Sequence, residues 1–339
     1  MALVSSPGPC PARSLRPDSP PWRTHALAVS HGHVLHVEES GNPHGLCAVV
    51  LHGGPGSGSS PLLRSFFDPA RYRIVSVDQR GAGLSRPRGA TAHNRTADLL
   101  DDLQRVREQI GVARWLVVGG SWGATLALAH AAHEPQAVAA LLLRSVFLPR
   151  SEDIEAFFQD TARRAPAAWA RFAAVAPADQ RHDMLGFLAR SLGGPPELQA
   201  RDDAEPRRLA LAWWRWEKTL AGASAAASLE PEGEVLDALV DRYRVQSHYL
   251  VHRCWLDAPP LLERLAALPP VPMLLLHSRD DRVCRPEAAQ AVHERLPQSR
   301  LCWVDDAGHD PAHPAMAGAM AAALDHYALH GHFGDGPAR

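Results

Sequence analysis

Gly119-Gly120-Ser121-Trp122-Gly123 is the stretch of this chain best equipped for chemistry. It joins an apolar run, Val117-Val118, to an Ala/Leu-rich helical pattern that begins at Ala124. A G-x-S-x-G set between a strand and a helix lifts its serine on a tight, strained turn, and side chains two residues to either side would clash there. A serine hydroxyl is a weak nucleophile at neutral pH, so it needs a base within hydrogen-bond reach, and the base needs an acid to orient it. Both are found beyond later strand-like runs: Asp280-Asp281 after Met273 to His277, and His309 after Leu301 to Val304. Asp281 is the expected acid because the H-x-x-x-D spacing from His277 carries it into the loop, and Asp280 is the alternative. His309, next to Gly308, is the expected base among 19 histidines. The chemistry this trio would perform is acyl transfer through a serine.

Such chemistry also needs donors for a developing oxyanion. The N–H of Trp122 opens a helix and has no partner within it. A second donor is expected from His52-Gly53-Gly54-Pro55-Gly56, a Gly-rich turn after a strand, with the N–H of Gly54 as the candidate. A phosphate cradle is the competing reading of that turn, but neither G-K-[ST] nor G-x-G-x-x-G follows. His52 is expected to brace the turn. Asp78-Gln79-Arg80-Gly81 also follows a strand, and its Asp78 and Arg80 read as ties between neighbouring turns. Cys284, near the Asp281 loop, reads as a buried bystander.

These loops must be held by a scaffold, and the hydrophobic pattern supplies one. His33 to Glu38 alternates like a half-exposed strand, whereas residues 48–51, 73–77, 115–118, 140–143, 273–277 and 301–304 read as further strands. Helical patterns separate them, so a mostly parallel sheet flanked by helices is expected. From about residue 149 to 258 strand signals vanish, and Ala-, Trp- and Arg-rich helices with scattered prolines take over. The expected organisation is a tail over residues 1–24, a first core segment over 25–148, a helical cap over 149–258, a second core segment over 259–329 and a tail over 330–339. A formal net charge of −2 on 339 residues gives no electrostatic reason to expect nucleic acid or an anionic membrane. The most apolar run, Val138 to Leu148, is interrupted by Arg144 and is too short to span a bilayer. Five cysteines without a C-x-x-C pair, and a Pro/Ser/Arg-rich start without an apolar signal core, favour a reduced cytoplasmic setting.

Taken together, these segments resemble the proline iminopeptidase family of α/β hydrolases. The matching motifs are His52 to Gly56, Asp78 to Ser85, Gly119 to Gly123 with Thr125 to Leu128 behind it, and the Asp281 and His309 loops. A more selective match is Trp213-Trp214-Arg215-Trp216-Glu217, which fits W-x-x-W-E. The resemblance runs from about residue 25 to 329 and implies an α/β-hydrolase fold, with the helical cap inserted before the strand that carries the acid. It implies a Ser121–His309–Asp281 triad and release of N-terminal proline from short peptides or aminoacyl amides, without a metal or organic cofactor. It also implies that Glu217 pairs with the substrate's α-ammonium, whereas the residues alone read Glu217 as a helical carboxylate beside core aromatics. Family members carry a second acidic residue in a segment resembling R-I-E-N-H-Y-F; here Arg244-Val245-Gln246-Ser247-His248-Tyr249-Leu250 substitutes Gln246 for it and Leu250 for an aromatic. Phe147 matches a pocket residue of the family, and Phe157 or Phe158 in the following helix is the expected second wall, Phe158 being the candidate of the two. Two alternatives stay open: an esterase, amidase or lactonase with the same triad, which Gln246 favours, and a non-catalytic binding protein on the same scaffold, against which Ser121, Asp281 and His309 argue.

Overall fold

The computed structural model describes residues 15–334, except for 18, 161, 162, 164, 195–203, 223–228 and 269. Eight strands form one sheet: β1 Arg23–Ala28, β2 Val34–Gly41, β3 Leu46–Leu51, β4 Tyr72–Val77, β5 Trp115–Gly120, β6 Val138–Arg144, β7 Met273–His277 and β8 Arg300–Trp303. Their order is β1-β2-β4-β3-β5-β6-β7-β8. The β1–β2 and β2–β4 pairs are antiparallel and the remaining pairs are parallel. Central strands read as continuous apolar runs because helices cover both of their faces. Val49, Val117, Leu141 and Leu275 face one cluster, whereas Val50, Val118, Leu142 and Leu274 face the other. Helices α1 Thr96–Ile110 and α2 Trp122–His133 lie in the first cluster.

Among the described residues, five helices lie in the insertion that follows β6: α3 Ser151–Glu155, α4 Pro166–Ala173, α5 Met184–Leu192, α6 Ala204–Leu220 and α7 Gly233–Val251. This insertion has an apolar core of its own, built on Phe158, Phe172, Leu188, Trp213, Trp216 and Tyr243. Helix α7 also belongs to the sheet's core, since Val245 and Tyr249 are buried there. The Tyr249 hydroxyl donates to Asn94 Oδ1 at 2.8 Å, and the ring meets Trp122 edge-on at 5.0 Å between centroids. Two more helices, α8 Pro286–Arg295 and α9 Pro314–His330, complete the layers. Among the described residues no helix is long and apolar enough to cross a membrane.

Both expected tails reach into the ordered structure. β1 begins at Arg23, inside the segment expected to be a tail. Its sequence, Arg-Thr-His-Ala-Leu-Ala, is too weakly apolar to stand out, and it gains a strand partner only through its register with β2. Further upstream, Arg16 pairs bidentately with Asp325 at 2.6 and 2.8 Å. At the other end, α9 runs to His330, Phe333 is buried against Tyr327, and Arg300 donates to the Phe333 carbonyl at 2.7 Å. Isolated tail residues held by one charge pair or one ring leave no periodic pattern to read.

Candidate active site

Ser121 stands between β5 and α2 with φ 57° and ψ −124°, a conformation sterically disfavoured for a side-chain-bearing residue. The flanking glycines make the turn possible. A Cβ on Gly119 would lie 2.2 Å from the Gly123 carbonyl oxygen, and one on Gly123 would lie 2.1 Å from that of Leu51. The turn is thus closed against itself and against the end of β3. The Ser121 N–H donates to the Arg144 carbonyl at 3.0 Å, which fixes the turn to the end of β6.

His309 follows β8, and its Nδ1 lies 2.8 Å from Asp281 Oδ2. The other carboxylate oxygen, Oδ1, accepts the N–H groups of Val283 and Cys284, each at 2.9 Å. Burial alone would raise the Asp281 pKa, but the charge of and hydrogen bond to His309, then His277 and the Cys284 N–H, outweigh it and bring it to about 2. Asp281 is therefore an anion across the working range, and it favours the His309 tautomer that carries its proton on Nδ1 and leaves Nε2 to act as a base. Asp280, the alternative acid, is exposed, and its N–H donates to Ser278 Oγ at 3.3 Å. That same Oγ accepts the Gly308 N–H at 3.2 Å, so one serine ties the acid loop to the histidine loop.

Ser121, His309, Gly54, Phe147, Phe158, Glu217 and Gln246 all line one cavity of about 360 Å³. Asp281 and Trp122 stand behind that wall, Asp281 at His309 and Trp122 next to Ser121 in the chain. Ser121 Oγ contacts Cys284 Sγ at 3.6 Å and, among the described residues, makes no hydrogen bond to His309. Catalytic hydrogen bonds are often long in ligand-free sites and tighten when substrate arrives. Cys284 is no rival nucleophile: burial, then the Asp281 charge, raise its thiol well above the usual range, and a protonated thiol does not attack.

The Gly-rich turn approaches Ser121 closely. A Cβ on Gly53 would stand 3.4 Å from Ser121 Cβ, and Gly54 has φ +111°. His52 braces the turn as expected: its Nδ1–H donates to the Gly53 carbonyl at 2.9 Å, and its Nε2 accepts the Gln79 N–H at 3.1 Å. Burial lowers its pKa, consistent with that neutral tautomer. Gln79 carries no signal of its own in the sequence, yet it links both halves of the expected oxyanion site. Its Nε2 donates to the His52 carbonyl at 3.0 Å, while its Oε1 accepts Trp122 Nε1–H at 2.8 Å. Asp78 and Arg80 are structural ties, Asp78 to the N–H groups of Ser59 and Leu84 and Arg80 to Asp102.

The far wall belongs to the insertion. Trp213 and Trp216 are buried in its core, Trp213 stacked on Tyr243 at 4.7 Å and Trp216 on Phe172 at 5.7 Å. With that stripe packed, Glu217 faces the cavity. Its Oε2 accepts from Arg242 Nη2 at 2.7 Å and from the Tyr243 hydroxyl at 3.0 Å, and its Oε1 accepts from Gln246 Nε2 at 2.8 Å. Arg242 and Tyr243 escape sequence reading because a helical Arg-Tyr pair has no distinctive spacing; only the apposition of α6 and α7 brings them to Glu217. Gln246 Oε1 is buried without a partner among the described residues. Helix α7 rests directly on the Gly-rich turn, since a Cβ on Gly56 would meet the Arg242 carbonyl oxygen at 2.8 Å. Phe158 is walled in by Phe157 and Trp213, while Phe147 lies half-buried between the two cores, and the Thr125 hydroxyl donates to its carbonyl at 2.7 Å.

Residues 49–313 match the model of the alpha/beta hydrolase fold family. A probable proline iminopeptidase of Leptolyngbya boryana is 36% identical over 321 residues, covering 93% of this chain and 97% of that protein. The proline iminopeptidase of Arabidopsis thaliana is 35% identical over 92% of this chain and 81% of its own length. Among solved structures, a proline iminopeptidase-related protein of Thermus thermophilus superposes with a TM-score of 0.56 at 21% identity, over 90% of this chain and 97% of that one. An esterase from a Rhodococcus species superposes with a TM-score of 0.52 at 21% identity, over 85% and 92% of the two chains, and shares the fold. This chain belongs to the proline iminopeptidase family of α/β hydrolases.

Proposed function

We propose that this protein is a serine aminopeptidase that releases N-terminal proline from short peptides and aminoacyl amides. Ser121 Oγ attacks the carbonyl carbon of the first residue while His309 Nε2 takes its proton, and the N–H groups of Gly54 and Trp122 hold the oxyanion. His309 then protonates the leaving amine, and the acyl-enzyme is hydrolysed by water through the same base. Asp281 orients the imidazole and stabilises its charged form. Phe147 and Phe158 form the apolar walls for a pyrrolidine ring, and residues 149–258 act as a cap over the sheet. Cys47, Cys254 and Cys284 are free thiols, which fits a reducing, cytoplasmic compartment.

The observation that carries this reading is the carboxylate of Glu217 lining the same cavity as Ser121. An aminopeptidase must hold an ammonium one residue from the bond it cuts, and a carboxylate 16% exposed does so far better than one on the open surface. Steady-state kinetics on prolyl-naphthylamide and its N-acetyl form test it. The wild type is expected to favour the free amine, and Glu217→Gln to raise the prolyl KM by at least about tenfold. Equal turnover of the two substrates would instead identify an esterase or amidase with the same triad. Covalent labelling of Ser121 by a fluorophosphonate separates both readings from a binding protein, which would stay unlabelled.

A further inference from the structure

Lysine occurs once in this chain, at position 218, where every other basic residue besides histidine is arginine. Helix α6 carries Arg207, Arg208, Arg215 and Lys218, and its three arginines are neutralised by Asp237, Glu205 and Glu230, each at 2.7 Å. Among the described residues no carboxylate pairs with Lys218. Its Nζ stands over the Trp214 ring at 5.7 Å from the centroid, and both side chains line the cavity that holds Ser121 and His309. Both also line a neighbouring pocket of about 270 Å³ beside Arg215, which places Lys218 at the edge of the Ser121 cavity. The backbone fixes which edge that is. The Ala221 N–H donates to the Glu217 carbonyl at 2.9 Å and so prolongs α6, and a Cβ on Gly308 would lie 3.1 Å from the Ala221 carbonyl oxygen. Lys218 is thus about one helical turn from the contact with the loop that carries His309.

We propose that Lys218 binds the free C-terminal carboxylate of the substrate, so that the preferred substrates are dipeptides and tripeptides rather than the ends of long chains. The proposal rests on the reading of His309 as the group that protonates the leaving amine. That role sets the departing peptide beside the His309 loop, with its chain running towards the edge where Lys218 stands. Successive residues of a helix diverge by about 100°, so Glu217 turns to Arg242 and Gln246 on α7 while Lys218 stays over Trp214, one turn back. Arg242 already balances Glu217 at 2.7 Å, which leaves the Lys218 charge uncommitted. Asp310 lines the same cavity, but its Oδ1 accepts the Ala312 N–H at 2.9 Å and its charge acts on the buried Arg144 guanidinium. A half-buried ammonium without a counter-ion favours an anion, and lysine's flexible stem lets it meet carboxylates at two chain lengths. A short peptide is a zwitterion, and this cavity offers each of its ends an opposite charge.

Kinetics on prolyl-glycine and prolyl-glycyl-glycine, each against its C-terminal amide, test this, because the members of a pair differ only in the charge at the far end. Each ratio is taken within one preparation and is therefore independent of the fraction of folded enzyme. The wild type should favour the free acid of the better-fitting length by about fivefold in kcat/KM at low salt, chiefly through KM, and should lose most of that preference in about 1 M NaCl. Lys218→Met keeps an apolar stem over Trp214 and should bring the ratio to about one, Lys218→Glu should push it below one, and Lys218→Arg should preserve the preference. A wild-type ratio of about one, or a preference that survives both Lys218→Met and Lys218→Glu, overturns the proposal. N-acetylated prolyl-glycyl-glycine keeps two failures apart. If it is cleaved as fast as the free peptide, the aminopeptidase reading is wrong and the carboxylate site falls with it. If only the free amine is cleaved while the acid and amide are turned over alike, the role of Lys218 alone is wrong.

Discussion

The two walls of the cavity are built on opposite plans. On the sheet side, Ser121, Asp281 and His309 each leave the end of a strand, and their loops are cross-tied by Ser278, Gln79 and the Arg144 carbonyl. On the insertion side, Glu217, Arg242 and Gln246 sit on two helices whose apposition rests on a separate apolar core. Asp281 is fully buried, with 0% of its side chain exposed, whereas the side chains of Glu217 and Arg242 are 16% and 25% exposed. Under the proposed mechanism the sheet side holds the reacting atoms, which tolerate little displacement, and their loops leave strand ends. A recognition wall can be exchanged without rebuilding the sheet, which is how one fold serves proteins of different specificity.

The sharpest way to break this contrast is to damage each wall separately. Asp281→Asn should lower kcat on prolyl-naphthylamide by about 10⁴-fold with little change in KM, because the imidazole loses its tautomer control while the amine site stays intact. A comparable rise in KM would mean that the two walls are not independent. Trp213→Ala attacks the other side: it removes a fully buried indole stacked on Tyr243 and should cost about 3–5 kcal/mol in urea unfolding. Among correctly folded molecules, Ser121 should still be labelled by a fluorophosphonate, while KM for the prolyl substrate rises. Loss of labelling in folded protein would show that the insertion's core also sets the geometry of the nucleophile.

The same contrast governs what can be read from the residues alone. Ser121, Asp281 and His309 are legible because a strand-end site leaves a linear trace: an apolar run, a turn, then a chemically unusual side chain. Gly119 and Gly123 add to it, since their spacing records the clash that a Cβ would cause. Glu217 is legible only through the Trp-Trp-Arg-Trp-Glu pattern and its family likeness. Arg242 and Tyr243 are not legible at all, as nothing in α7 encodes which residues of α6 it will face. Gln79 escapes for a similar reason: it joins His52 and Trp122 through bonds spanning 27 and 43 residues of chain. β1 and the pinned Arg16 show the limit of composition, because a short polar segment is ordered by what it pairs with rather than by its own apolar content.

Acid titration gives the smallest and most specific separation of the two walls. Asp281 is lowered from an ordinary value of 3.8 to about 2, because His309 and the other partners overcome the burial that opposes its charge. A folded-state pKa below the unfolded one means that the unfolded chain binds the proton first as the pH drops. The stabilisation is then fully present above about 4 and is lost as the pH falls towards about 2. Its size is about 2 kcal/mol for a shift of this magnitude. Asparagine at 281 cannot titrate, so urea unfolding of the wild type and Asp281→Asn over this range isolates the term from other carboxylates that titrate alike in both. The gap between them should be widest near neutrality and should narrow steadily below about pH 4. A gap that stays constant down to about pH 2 would mean that the Asp281–His309 pair contributes no charge-dependent stability. The firmness of the sheet-side wall would then come from its hydrogen-bonded loops alone.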